Sequence, residues 1–433
     1  MNRRILGIAL PAIVSNIAVP LLGLMDITIA GHLGAAAFIG AVSVGSMMFN
    51  FIYWNFTFLR MGTSGMTAQA YGSHDSKEQR IVLVRATSLA LLLGLTIVAM
   101  QIPLRQLILW LIAPGTEVRK LAETYFNICV WGAPAILATN SITGWFIGMQ
   151  DSVRPMATSI FVNVLNIAVS LLCVYVLHTG FSGIAIGTLI AQWGGFVLLL
   201  FFVSRTNSGS LRWTDIIRGI RLLKGAGRFF RVNRDIFLRS LCLMSVTLFF
   251  TSAGARSGDL ILAVNALIMQ FFVIFSYFMD GFAFAGEALA GKHAGAKDAY
   301  GLKLCVKNLW VWGCSMAVAF AILYGFFGTE AFSLLTDDAG VRECAYGYRL
   351  WTAVIPLVGI GAFIWDGIYI GLTATRHMLY ALGIALVAFF ATFFLCPAED
   401  ANNRLWAAFI IYLAARSIAQ TVMARHLLHR AVA

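Results

Sequence analysis

Long apolar stretches separated by short polar ones dominate the chain. Windows of about 20 predominantly apolar residues, the length that crosses a bilayer as helix, fall at 5–30, 36–58, 82–102, 121–149, 156–178, 182–204, 235–255, 260–290, 304–328, 344–371, 377–396 and 404–428. The pattern predicts twelve transmembrane helices. The first begins like a secretory signal, with Arg3 and Arg4 ahead of an apolar core, but the apolar run continues without a clean small-residue cleavage site, so it reads as a retained span.

Polar residues inside these windows are where chemistry is expected. Leu10 to Gly34 carries Pro11, Pro20 and a single carboxylate, Asp26. A carboxylate near the middle of a span costs about 2.5–3.5 kcal/mol on insertion scales, so a compensating role is the default expectation. The prolines each remove a backbone donor and predict a bent helix. A proton-carrying site and a carboxyl hydrogen-bonded to a neighbouring helix for packing alone both fit. The uncharged groups expected around Asp26 are Asn140, Asn163, Asn166, Ser170 and Thr188, with 163, 166 and 170 spaced to share one helical face. One carboxylate among amide and hydroxyl oxygens favours a proton over a metal ion, since hard cations gather several charged oxygen ligands. In the second half the acidic residues are Asp280, Glu287 and Asp366, with Arg239 and Arg256 as available partners. An ion site and an Arg–carboxylate lock between helices describe these equally well. Met25, Met47, Met48, Tyr53, Trp54, Phe58, Phe146 and Met149 are candidates to line a substrate cleft, because methionine and aromatic faces suit varied apolar cations. The competing reading of such residues is lipid contact or helix packing.

Composition agrees with the spans. Of the 433 residues 60% are hydrophobic and 12% charged, about half the charge of a soluble domain, and the mean hydropathy is +0.83. The net charge of +12 suggests nucleic acid until the charges are located. With the N-terminus inside, 21 Lys and Arg fall in cytoplasmic segments against 6 in the opposite loops, the remaining 4 lying within spans. This distribution predicts both termini in the cytoplasm and no nucleic-acid partner. The seven cysteines are scattered, and His426 with His429 lacks a third ligand, so no metal site is expected.

The chain also repeats itself. Ala30-Gly31 matches Ala253-Gly254, Gly72 with Asp75 matches Gly295 with Asp298, and Gly148 matches Gly371, all at an offset of 223. Two lobes of six spans follow, residues 1–204 and 232–433, in pseudo-symmetry about an axis along the membrane normal. Between them, 205–231 has the spacing of a short amphipathic helix (Trp213, Ile216, Ile217, Ile220, Leu223) with arginines opposite, suited to the inner membrane surface. Paired half-bundles favour alternating access with sites near the midplane. No GxxxxGK[ST] loop is present, which excludes ATP hydrolysis within this chain and leaves an ion gradient as the energy source.

Specific segments, among them LPAIVSNIAVPLLGLMDITIAGHLG, FLRMGTSGMTAQAYG, DGFAFAGEALAGKHAGAKD and WDGIYIGLTATRHM, closely resemble the DinF branch of the multidrug and toxic compound extrusion (MATE) family, nearly end to end. The resemblance implies an all-α integral membrane protein of twelve helices in two lobes forming a V. It implies export of cationic or amphiphilic compounds against protons or sodium, with roles for Asp26 and Asp366. Where the family's fifth helix usually reads Asn-x-x-x-Asp, this chain has Asn166 and Ser170, which weakens the case for sodium. The expectation is a monomeric, cofactor-free antiporter of the inner membrane, not an enzyme, driven by proton influx through Asp26. Sodium coupling is the alternative, followed by a flippase for lipid-linked substrates, for which the spans hold few basic residues. A transferase would need clustered carboxylates, and Asp337-Asp338 lies in a predicted outer loop; a channel would need a filter ring.

Overall fold

The computed structural model describes residues 1–206, 227–396 and 400–431. The predicted amphipathic face from Trp213 to Leu223 lies outside the described residues. Among the described residues the elements are helical, in chain order α1 Asn2–Gly31, α2 Ala36–Trp54, α3 Phe58–Gly72, α4 Ser76–Ala99, α5 Gln101–Ile112, α6 Thr116–Cys129, α7 Ala133–Gly148, α8 Val153–Leu171 and α9 Ser182–Ser204, then α10 Gly227–Arg256, α11 Asp259–Gly295, α12 Ala299–Leu335, α13 Ala339–Gly347, α14 Arg349–Gly371, α15 Thr375–Leu395 and α16 Ala401–Arg430. Eleven helical stretches among the described residues are long and apolar enough to cross a membrane. The fourth expected span is present but broken, running through α6, one 3-10 turn at Val130–Gly132, and α7. The break sits at Pro134, whose ring has no N–H and suits the first turn of a new helix. The second span is interrupted at Asn55–Thr57, where Asn55 Nδ2 donates to the Phe51 carbonyl (2.8 Å) and Thr57 Oγ1 to the Trp54 carbonyl (3.0 Å). Those bonds occupy backbone acceptors that the interrupted ladder leaves open.

The chain divides into two compact units, Val14–Asn233 and Met1–Ile13 with Arg234–Ala433. The sequence reading draws the lobe limits at 204 and 232 and assigns all of α1 to the first. In the structure the first thirteen residues pack with the second unit, and a Cβ on Gly281 would lie 2.8 Å from the Ala9 carbonyl oxygen. The division falls between Pro11 and Pro20, although α1 itself is one continuous helix.

The internal repeat reappears as geometry within each unit. In the first, α7 packs on α3 so closely that a Cβ on Gly148 would be 2.7 Å from the Ser64 carbonyl oxygen. In the second, α14 packs on α11 and a Cβ on Gly371 would be 2.6 Å from the Glu287 carbonyl oxygen. Gly371 and Glu287 each lie 223 residues after their counterparts Gly148 and Ser64. The turns repeat as well. His74 and Lys297 take φ of 56° and 53°, and Gln150 and Thr373 take 68° and 53°. Asp75 caps α4 by accepting the Glu78 amide (2.9 Å), and Asp298 caps α12 by accepting the Gly301 amide (2.8 Å).

Candidate functional site

In the first unit Asp26 is 1% exposed. Its Oδ2 accepts from the Thr188 hydroxyl at 3.0 Å and from the Tyr125 hydroxyl at 3.3 Å. Asn166 Nδ2 donates to the Thr188 oxygen (3.0 Å), and its amide also lies within reach of the carboxyl. Four helices therefore meet at one carboxyl: α1, α6, α8 and α9. Thr188 has one hydrogen and two acceptors in range, Asp26 Oδ2 and the Ile184 carbonyl at 3.1 Å, so its hydroxyl can turn from one to the other.

Three oxygens of this region are buried without a hydrogen-bond partner: Asp26 Oδ1, Asn166 Oδ1 and Ser170 Oγ. Buried acceptors are ordinarily satisfied, so the group is one to which a proton or a cation can be added. Among the described residues, no Lys, Arg or His forms an ion pair with Asp26. Ser170 packs its side chain against Gly187 of α9, whose lack of a Cβ admits it; a Cβ there would stand 2.8 Å from the Ser170 backbone nitrogen.

The remaining predicted neighbours lie elsewhere. Asn163 donates to the Ala18 carbonyl and to its own helix at Ser159, both at 3.0 Å. With Ser159 Oγ reaching the Ser15 carbonyl (3.4 Å), it ties α8 to the proline-bearing stretch of α1. Asn140 is half-buried on α7 and makes no hydrogen bond to Asp26. Tyr125 was absent from the expected set. Its signal was a lone tyrosine in the fourth span at the polar edge of α6, visible only once the break in that span sets its depth.

Of the expected cleft lining, Met25, Met47 and Trp54 are exposed, and Tyr53 and Met149 are half-buried. Met48, Phe58 and Phe146 are buried, so they pack between helices in this structure and line no open surface. Phe146 is covered in the helix interface beside Trp145, with the Arg154 guanidinium 5.4 Å from its ring centre. Tyr53 stacks on Phe49 (5.5 Å), which in turn contacts Tyr125, so an aromatic row leads to Asp26.

In the second unit Asp366 of α14 receives Nη2 of both Arg239 (α10) and Arg416 (α16) on Oδ2, and Gln420 Nε2 on Oδ1 at 2.8 Å. Sequence reasoning paired Arg239 with this set but left Arg416 as an unassigned arginine within a span. Arg256 is exposed at the end of α10, remote in sequence and burial from the cluster it was expected to join. Glu287 is 1% exposed on α11, and Asp280, two turns earlier, is half-buried near Tyr277.

Eleven apolar helices among the described residues, long enough to cross a membrane and set in two internally repeated units, define a multi-pass membrane protein. The chain belongs to the MatE family, whose sequence model matches residues 11–172 and 236–394. It is 35% identical to DNA damage-inducible protein F of Escherichia coli over 95% of this chain and 89% of that protein. Among solved structures, a MATE protein in its bent conformation matches with a TM-score of 0.87 at 18% identity, covering 99% of this chain and 96% of its own. An outward-facing multidrug resistance MATE family transporter matches with 0.86 at 20% identity, over the same shares.

Proposed function

We propose that the protein is an antiporter exporting cationic or amphiphilic small molecules, driven by protons that load on Asp26. The observation that carries this reading is the unpartnered Oδ1 of a buried carboxyl whose hydrogen-bonded neighbours are all neutral. A proton on Oδ1 supplies a donor beside the unfilled acceptors of the cluster, and removes the charge that makes the group costly in a membrane. Deprotonation restores an anionic site able to attract a cationic substrate. Thr188, placed between Asp26 and the Ile184 carbonyl, can redirect its hydroxyl hydrogen as the carboxyl changes state. Family membership and the likeness to a structure described as a multidrug resistance MATE family transporter support the substrate class. Family membership supports a place in the inner membrane, and the placement of Lys and Arg supports both termini in the cytoplasm.

Sodium is the second reading, favoured by the same orphaned oxygens of Asp26, Asn166 and Ser170. Against it stands Ser170, where a second carboxylate would supply the charge that a hard cation seeks. The test is resistance of drug-sensitive cells expressing wild type or Asp26→Asn at matched membrane levels. The variant should confer none; full resistance in it removes Asp26 from coupling.

A further inference from the structure

Two donors on one face of α8 meet two carbonyls on one face of α1. Ser159 Oγ donates to the Ser15 carbonyl (3.4 Å) and Asn163 Nδ2 to the Ala18 carbonyl (3.0 Å). The donors are four residues apart and the acceptors three, so each pair shares a helical face. The same Asn163 nitrogen also donates to the Ser159 carbonyl at 3.0 Å, which uses both its hydrogens and fixes the amide on its own helix. Its oxygen, by contrast, is buried without a partner. A residue placed there for packing alone would leave no such orphan, since leucine has similar bulk and no polar atom to satisfy. The amide is present for its donors.

Pro20 lies just past this grip, and Asp26 follows Ala18 by eight residues, about 12 Å of helix. There α1 is held again, by Thr188 and Tyr125 on the carboxyl and by Asn166 of α8 through Thr188. The helix is therefore attached on both sides of a proline that has no N–H to give to the preceding turn. The two attachments differ in kind. The first joins neutral donors to backbone carbonyls and is indifferent to charge, whereas the second ends on an ionisable carboxyl, whose bonds weaken when a proton removes the charge. All of these residues belong to the unit Val14–Asn233.

We infer that Asn163 is a positioning residue for coupling: assisted by Ser159, it anchors α1 ahead of Pro20, so that a change at Asp26 displaces only the segment beyond the proline. The inference rests on Asp26 carrying the driving proton. Without the anchor, α1 yields on both sides of Pro20 and protonation no longer produces a defined movement.

The experiment joins hydrogen exchange of α1 with transport, both on the full-length protein. Asp26→Asn stands in for the neutral carboxyl. With Asn163 in place it should speed exchange in residues 21–30 and leave 14–19 as protected as in wild type. Adding Asn163→Leu should speed exchange in 14–19 as well, by about fivefold for one lost hydrogen bond. In proteoliposomes Asn163→Leu alone should lower the maximal rate of ethidium efflux about fivefold, with the half-saturating ethidium concentration within about twofold of wild type, the split expected when turnover and not binding is affected. Asn163→Gln, which keeps an amide donor, should recover part of that rate. Asn163→Ala takes the place of the leucine variant should the latter not fold. Unchanged protection of 14–19 in the double variant overturns the inference. Full efflux by Asn163→Leu beside an inactive Asp26→Asn overturns the anchor alone, whereas wild-type efflux by Asp26→Asn overturns the reading on which the anchor rests.

Discussion

Replacing Gly371 by alanine places a methyl group 2.6 Å from the Glu287 carbonyl oxygen and 2.8 Å from the Gly291 amide nitrogen. Both neighbours are helix backbone, so no side chain can swing aside. Restoring ordinary contact at about 3.5 Å requires α14 and α11 to separate by a large part of an ångström. Overpacking of this kind costs about 1–3 kcal/mol, reduced by the ~0.5–1 kcal/mol that alanine gains over glycine in a helix. The first unit supplies the matched experiment, since a Cβ on Gly148 would be 2.7 Å from the Ser64 carbonyl oxygen and 2.9 Å from the Ala68 amide nitrogen. Gly383, within α15, is the control, with nothing within 4 Å of its added Cβ. Thermal unfolding in detergent, followed by size-exclusion loss of the monodisperse peak, reads all three. At roughly 2–4 °C per kcal/mol for units of this size, Gly371→Ala and Gly148→Ala should each melt several degrees below wild type. Gly383→Ala should melt at or slightly above it. If Gly371→Ala and Gly383→Ala melt together, the reasoning from close backbone approach is refuted; if only one of the repeat pair is destabilised, the equivalence of the two interfaces is.

Other outcomes follow from individual contacts. Thr188→Val removes the hydroxyl from Asp26 and deprives Asn166 Nδ2 of its acceptor, so it should cost about 1–3 kcal/mol and also impair export, measured by melting and by resistance. Tyr125→Phe loses a long bond of 3.3 Å to Asp26 and should cost about 1 kcal/mol in the same melting assay. Asp298→Ala removes the α12 cap and should cost about 0.5–2 kcal/mol at neutral pH. The Gly301 amide, then the His293 side chain, hold the Asp298 carboxyl below its usual 3.8. A group lowered on folding stabilises above its unfolded value and loses that contribution as pH falls through the folded one. The deficit of Asp298→Ala should therefore shrink below pH 3.8, as read from melting against pH.

Much of the fold was legible because the membrane imposes length and polarity rules that act on sequence alone. The broken fourth span escaped a window average, which blends α6, the turn at Val130–Gly132 and α7 into one run. The assignment of Met1–Ile13 to the second unit left no mark on hydropathy, since α1 is apolar on both sides of the division. At Asp26, Asn166 and Thr188 were legible as polar groups on apolar helices. Asn163 was placed there by shared face, but it lies one turn, about 4.5 Å, before Asn166 along α8, and its amide meets Ala18 instead. Ser170 shares the buried face but is spoken for in packing by Gly187. In the second unit Arg239 was found because the search was for partners of acidic residues in spans. Arg416 could have been found by the same test applied to every arginine in a span, because a buried guanidinium needs an anion as much as the reverse.

Coupling through Asp26 is tested most directly in proteoliposomes, by efflux of ethidium, a cationic probe, under proton and sodium gradients imposed separately. The account predicts efflux against an opposing proton flux in wild type, none with a sodium gradient alone, and none under either gradient in Asp26→Asn. Efflux driven by sodium alone, or proton-driven efflux that survives in Asp26→Asn, would contradict it.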